Sequence, residues 1–158
     1  MEPRFELFSE KKLVGAHLRM SLVNNKTREL WSSFMPRREE VISRKGSDFI
    51  NLQVYESDHY FEFNPAREYE AWALVEVNNF DSIPKGMEKF IIPEGEYAVF
   101  IHKGANTTAD TFQYIFSQWL PNSDYLLDSR PHFEILGEKY KNNDPNSEEE
   151  VWIPIKKK

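Results

Sequence analysis

One carboxylate, Glu134, lies in an otherwise apolar segment, between Phe133 and Ile135. An ionised carboxylate that is buried without a partner costs several kilocalories per mole, so a buried Glu134 needs a partner. A bound cation is one such partner. The alternatives are a glutamate that faces solvent, or one that is satisfied by the nearby His132 or Arg130.

Two tryptophans, Trp72 and Trp119, are the next candidates for a cation site. Indole gives the strongest cation–π attraction, about 0.5 to 2 kcal/mol per contact. Either ring could instead fill a core, and Trp119 shares an apolar helical face with Ile115 and Phe116. The chain is rich in such rings, since 15 % of its residues are aromatic.

Further aromatic candidates lie in segments with strand patterns: Tyr55, Tyr97, Phe100 and Trp152. Alternation along a strand places Phe100 on the face opposite Val99 and Ile101. One of these two faces must line any groove, and the sequence leaves both open.

A second acid beside Glu134 would raise the pKa of one carboxyl and create an acid/base pair suited to hydrolysis of a strained electrophile. Glu76 is the candidate, because Glu70, Trp72 and Glu76 share strand parity and project from one side. The alternative is that Glu76 pairs with a lysine at the sheet surface.

The remaining residue types indicate no metal, cofactor or catalytic residue. The four histidines, His17, His59, His102 and His132, lack metal-ligand spacing. Cysteine is absent and the six glycines are scattered, so thiolate chemistry and a phosphate loop are not expected. Composition does not exclude a serine triad, but nothing resembles a nucleophile elbow.

Charge and length narrow the class of protein. A net charge of -6, spread along the chain, makes nucleic acid an unexpected partner. The N-terminus lacks a signal-peptide core, and no apolar run is long enough to cross a bilayer, so we expect a cytoplasmic protein with no membrane partner. The 158 residues are typical of one domain, residues 1–158.

Hydrophobic patterns predict the same order of elements twice. In the first half they predict a strand over 5–20 with a bulge at Gly15, a helix over 25–36 ended by Pro36, a strand over 49–55 with one wet face, and a strand over 69–77. In the second half they predict a strand over 95–104, a helix over 107–120 ended by Pro121, and strands over 131–140 and 149–155, with a polar turn at 142–146 between the last two.

This order predicts an α+β fold of two βαββ repeats, at about 5–80 and 95–155. The halves also share short patterns, such as Val14-x-x-His17 and Val99-x-x-His102. We expect the repeats to pack about a pseudo-twofold axis, with the helices on one side of a mainly antiparallel sheet. A ligand cleft is expected where the halves meet.

Several segments resemble the GyrI-like small-molecule-binding family, which also forms the effector-binding part of AraC-type and multidrug-sensing transcription regulators. They are residues 72–77 (WALVEV), 97–104 (YAVFIHKG), 112–123 (FQYIFSQWLPNS), 130–136 (RPHFEIL) and 151–155 (VWIPI). The resemblance extends from about residue 5 to 155, so no residues remain for a fused DNA-binding helix-turn-helix. We therefore expect a stand-alone member of the bacterial family.

The resemblance implies a central groove lined by aromatic rings, with an acidic residue that meets the charge of lipophilic cations. Glu134 matches that acid. The implied function is sensing or sequestration of such a molecule. Some members of the family instead hydrolyse cyclopropane-bearing genotoxins, and others modulate a protein partner such as gyrase, so both alternatives stay open.

Overall fold

The computed structural model describes residues 1–55, 64–104, 109–141 and 144–158. His59, the predicted helix start at Thr107, and Asn142 and Asn143 of the predicted turn lie outside these ranges. The described residues form nine strands: β1 (Arg4–Phe8), β2 (Lys11–Ser21), β3 (Phe49–Val54), β4 (Glu68–Glu76), β5 (Glu88–Ile92), β6 (Gly95–Lys103), β7 (Tyr125–Leu127), β8 (His132–Leu136) and β9 (Glu148–Lys157).

Two helical regions accompany the strands. Helix α1 spans Thr27–Phe34 and continues into a 3-10 segment, Met35–Glu40, whose first turn contains Pro36. Helix α2 comprises Ala109–Tyr114, a π-helical segment Ile115–Trp119 and a last turn Leu120–Asn122. Pro121 therefore lies inside the final turn instead of ending the helix before it.

The sheet order is symmetric about its centre. The strands run β1-β6-β9-β8-β3-β4-β2-β5, with β7 paired to β9, and every described pair is antiparallel. The first-half strands β3-β4-β2-β5 mirror the second-half strands β8-β9-β6-β1 across the β3–β8 pair. This arrangement confirms the predicted α+β fold with a mainly antiparallel sheet.

Both helices cover the same face of the sheet, which we call the helix face. Glu134 pairs with Asn51 on β3 and with Val151 on β9, and Asn51 pairs with Ala73 on β4. Paired residues project from one face. Ala73 packs in a core with Leu30 and Phe34 of α1, whereas Val151 packs with Phe112, Ile115 and Phe116 of α2. The centre of the sheet, with Glu134, thus lies between the two helices.

The opposite face, which we call the second face, carries a separate core. Its aromatic centre is Phe133, whose ring lies 4.9 Å from Phe8, 5.1 Å from Tyr97 and 5.4 Å from Trp152. β1 and β2 are far apart in the strand order, but only Ser9 and Glu10 connect them, so the sheet curves around this core. The cores under α1 and α2 and the core of the second face together bury the sheet on both sides.

Two further local predictions were wrong. Pairing of β2 with β4 runs without a break from Leu13 to Ser21, so Gly15 forms no bulge. Glycine is needed there because a Cβ would lie 1.8 Å from the carbonyl oxygen of Ala73. The polar side of β3 is not wet either, since Gln53 is buried on the helix face.

Candidate functional site

Glu134 lies at the centre of the helix face and is only 4 % exposed. Its Oε1 accepts a hydrogen bond from Gln53 Nε2 at 3.2 Å, and its Oε2 accepts a longer one from Asn51 Nδ2 at 3.4 Å. Both donors are neutral amides on the neighbouring strand β3. They stabilise an ionised carboxylate, because hydrogen bonds to a charged group are worth about 1.5–3 kcal/mol each.

The amide of Asn51 is oriented from helix α1. Trp31 Nε1 donates a hydrogen bond to Asn51 Oδ1 at 3.2 Å, which directs the Asn51 nitrogen towards Glu134. The Trp31 ring is held in turn by edge contacts with Phe34 and Phe49, at 5.8 and 6.0 Å between centroids. A polar relay therefore connects α1 to the carboxylate.

Aromatic rings from both halves meet close to Glu134. Tyr55 lies 5.1 Å from Tyr69 and 5.0 Å from the imidazole of His132. His132 in turn lies 5.6 Å from Phe116 of α2. These four rings form a continuous apolar wall from β4 to α2, next to the buried carboxylate.

Burial and charge keep the titratable rings of this wall neutral at physiological pH. Burial, reinforced by the negative charge of Glu134, raises the pKa of Tyr69 to about 12. Burial also raises the pKa of Tyr55, with smaller contributions from Tyr69 and Glu134. Burial lowers the pKa of His132 to about 3. The wall therefore adds no charge to that of the carboxylate.

Among the residues predicted for a site, Tyr55 and Phe100 share the helix face with Glu134. Phe100 pairs with Val151, which pairs with Glu134, so Phe100 lies two strands away, about 10 Å. Trp119 packs on Phe100 at 5.2 Å and stacks on Tyr125 at 6.4 Å. Phe100 and Trp119 thus form a cluster over the outer strands of the second half.

The other four predicted residues project from the second face, and the structure does not bring them together with Glu134: Trp72, Glu76, Tyr97 and Trp152. The two groups lie on opposite faces because successive residues of a strand point to opposite sides of the sheet. Trp72 lies against His17 at 4.3 Å, and Trp152 stacks on Phe133 at 5.4 Å.

Glu76 pairs with lysines at the sheet surface, which was the alternative to a role beside Glu134. Its carboxylate lies 3.7 Å from Lys11 Nζ and 4.0 Å from Lys45 Nζ, at the sheet surface. Glu70 also projects from the second face, where its Oε1 lies 2.5 Å from His17 Nδ1. Neither acid shares a face with Glu134.

Of the two local partners considered for Glu134, Arg130 lies elsewhere. Arg130 forms an ion pair with Asp128 at 3.3 Å and lies 4.7 Å above the ring of Tyr97 on the second face. His132, the other candidate, shares the helix face with Glu134 but is held neutral by burial.

The sequence did not point to five polar and aromatic residues close to Glu134, and it named His132 only as an alternative partner of that carboxylate. The five are Trp31, Asn51, Gln53, Tyr69 and Phe116. The signal for two of them was present, since Asn51 and Gln53 occupy alternate positions of one strand. The sequence could not show that their strand, β3, pairs with β8, because the periodicity of one strand does not reveal its neighbours in the sheet.

Comparison with known proteins places the chain in a family. The profile of the GyrI-like small molecule binding domain matches residues 1–156. The chain belongs to the GyrI-like family. Effector-binding domains of transcription regulators share this fold, as the resemblance in the sequence predicted.

Two curated relatives and one solved structure illustrate the relationship. The chain is 30 % identical over 129 residues to the transcriptional regulator BrlR of Pseudomonas aeruginosa, covering 80 % of this chain and 45 % of BrlR. It is 30 % identical over 100 residues to a DNA gyrase inhibitor of Erwinia billingiae, covering 59 % of this chain and 62 % of that protein. The chain thus spans less than two thirds of either relative.

The solved structure is that of SAV2435 bound to tetraphenylphosphonium. It superposes with a TM-score of 0.67 at 17 % identity, over 99 % of this chain and 94 % of the other. At this identity the likeness concerns the GyrI-like fold.

The described ranges, 1–55, 64–104, 109–141 and 144–158, contain neither a metal-binding cluster nor a membrane-spanning helix. Within them no cluster of three or more His, Asp or Glu side chains could hold a metal ion. No helix within them is long and apolar enough to cross a membrane.

Proposed function

We propose that this GyrI-like protein binds a small lipophilic cation on the helix face, with Glu134 as the counter-charge. The observation that carries the proposal is a carboxylate that is 4 % exposed, at the point where the two halves of the sheet meet, beside a wall of aromatic rings. The role is sensing or sequestration of the ligand.

The chemistry of the site favours a cation over a neutral ligand. Asn51 and Gln53 stabilise the ionised carboxylate, but as neutral amides they bring no positive charge. A cation placed against Glu134 gains Coulomb attraction in an environment of low dielectric constant. Its apolar substituents gain contact with Tyr55, Tyr69 and Phe116, whose faces also attract positive charge.

The comparisons support this proposal in two ways. The family is defined by small-molecule binding, and its profile matches nearly the whole chain. A protein of the same fold, SAV2435, was solved with the lipophilic cation tetraphenylphosphonium. We extend that ligand class to this chain because Glu134 and its aromatic neighbours supply suitable chemistry.

Hydrolysis of a strained electrophile is less well supported. That mechanism requires a second acid beside Glu134, and the predicted partner Glu76 projects from the opposite face. Tyr55 and Tyr69 cannot replace it as bases near pH 7, since the pKa of each phenol is raised. Binding without turnover is therefore the expected outcome with a cyclopropane-bearing substrate.

A thermal-shift screen of lipophilic cations, neutral aromatics and nucleotides tests the proposal. We expect cations selectively to raise the melting temperature, because a ligand that binds the native state stabilises it by mass action. Glu134→Gln keeps the shape of the side chain and removes its charge. It should weaken cation binding about ten-fold or more, the scale of a lost charge contact.

Glu76→Gln is the matched control, since it removes the same charge from the second face of the same sheet. It should bind cations as the wild type does. Equal binding by wild type and Glu134→Gln would remove Glu134 from the site. Equal weakening by both variants would indicate that net charge, and not position, governs binding.

A further inference from the structure

The side chain of Gln53 has one polar atom, Oε1, that is buried without a hydrogen-bond partner among the described residues. Gln53 is 4 % exposed, and its Nε2 donates to Glu134 Oε1 at 3.2 Å. Its Oε1 is also buried and, within the part of the chain that the structure describes, accepts no hydrogen bond. Buried polar atoms are nearly always paired in native proteins, so an unpaired acceptor at a candidate site calls for a donor.

The orientation of this amide is fixed by Glu134. An ionised carboxylate only accepts hydrogen bonds, so the amide nitrogen of Gln53 must point to it. Rotating the amide by 180° would place oxygen against oxygen and leave the carboxylate without its shorter donor. The unpaired Oε1 thus follows from the hydrogen bond that Gln53 Nε2 donates to Glu134 Oε1.

Asn51 provides an internal comparison. It contacts the same carboxylate from the same strand, but its oxygen accepts a hydrogen bond from Trp31 Nε1 at 3.2 Å. The residues paired with Gln53 across the strands are Ala71, which has no side-chain donor, and His132. Of the two amides that contact Glu134, one has a satisfied acceptor and the other an open one.

We propose that Gln53 Oε1 and the carboxylate of Glu134 together select cations that carry N–H donors, such as protonated amines and amidines, over fully substituted cations. This inference rests on the proposed function, which places the cation at Glu134. An N–H cation gives a hydrogen bond to Gln53 Oε1 and meets the charge of Glu134. A quaternary cation of similar size meets the charge but leaves the acceptor buried and unpaired.

A pair of probes tests the selection: 1-naphthylmethylammonium and its N,N,N-trimethyl derivative, which share a ring and a charge. Isothermal titration calorimetry at pH 7 should show that the wild type binds the N–H ion about ten-fold more tightly. That factor corresponds to about 1.4 kcal/mol, close to the lower value for a hydrogen bond with a charged partner. Equal affinities for the two ions would overturn the proposal without any variant.

Gln53→Met removes the acceptor at similar volume and should reduce the ratio of affinities to about two or less, while the trimethyl ion still binds. Gln53→Leu serves if the methionine variant fails to fold. Asn51→Met is the matched control: it also removes a donor to Glu134, but its own oxygen was already satisfied, so the ratio should persist. A ratio that is unchanged in both Gln53 variants would refute the selection.

The proposed function fails in a different way. If neither ion binds the wild type, or if Glu134→Gln binds both ions as the wild type does, the cation site itself is wrong and the selection falls with it. If Glu134→Gln weakens both ions but the wild type does not discriminate between them, only the role of Gln53 is overturned.

Discussion

Acidification should destabilise this protein through His132, which is buried on the helix face between Tyr55 and Phe116. Burial lowers the pKa of His132 from an ordinary 6.5 to about 3 in the folded chain. The unfolded chain therefore binds a proton on this residue between those two values, whereas the folded chain does not. Stability that is present above pH 6.5 is lost as the pH falls towards 3.

The size of the loss follows from linkage. Each pH unit in this window costs up to about 1.4 kcal/mol of unfolding free energy for one such group. Between pH 6.5 and pH 4.5 the contribution of His132 is therefore about 2 to 3 kcal/mol. That is a large share of the roughly 5–15 kcal/mol that stabilises an ordinary domain.

Urea unfolding, followed by tryptophan fluorescence at pH 7 and pH 4.5, measures this loss. The variant His132→Gln loses the ring contacts at both pH values but cannot be protonated, so its stability should fall less on acidification. The difference between wild type and variant in the loss of unfolding free energy on acidification separates the effect of His132 from the effects of the carboxylates and the other histidines. Identical pH dependence in the two proteins would refute the argument that His132 is held neutral.

Two further substitutions test the support of the site and the packing of the sheet. Trp31→Phe keeps an aromatic ring but removes the donor to Asn51 Oδ1, so cation affinity measured by calorimetry should fall about two- to ten-fold, the value of one hydrogen bond. Gly15→Ala would place a Cβ 1.8 Å from the carbonyl oxygen of Ala73 and should lower the urea midpoint sharply. Gly137→Ala is its control, because the Cβ would lie 3.2 Å from a movable carboxylate, and it should unfold almost as the wild type does. A wild-type midpoint for Gly15→Ala would contradict the close approach of β2 and β4.

Much of the fold could be predicted from periodicity, and the misses were short or edge strands. The segment 5–20 reads as one strand by alternation, but the chain breaks at Ser9 and Glu10 because β1 pairs with β6 and β2 pairs with β4. β5 and β7 are five and three residues long, too short to give a clear pattern. The helices and central strands carried longer patterns and were predicted within a few residues.

The sequence pointed to two residues of the candidate site, Glu134 and Tyr55, and not to the amides of Asn51 and Gln53 that contact the carboxylate. Glu134 stood out as a carboxylate among apolar residues, and the resemblance to the GyrI-like family made it the expected acid of the groove. The sequence left open which face of each strand lines the groove, because that depends on the strand order; Trp72 and Trp152 project from the second face. The echo between Val14-x-x-His17 and Val99-x-x-His102 illustrates the same point: Val14 packs in the α1 core, whereas Val99 packs in the core of the second face.

The central claim is that a lipophilic cation binds at Glu134 on the helix face, and a crystal structure of the tetraphenylphosphonium complex tests it most directly. We predict a phosphorus atom within about 6 Å of the Glu134 carboxylate, the range over which opposite charges interact strongly, with phenyl groups against Tyr55 or Tyr69. A cation bound instead against Trp72 on the second face, or in the surface depression beside Tyr125, would contradict the account.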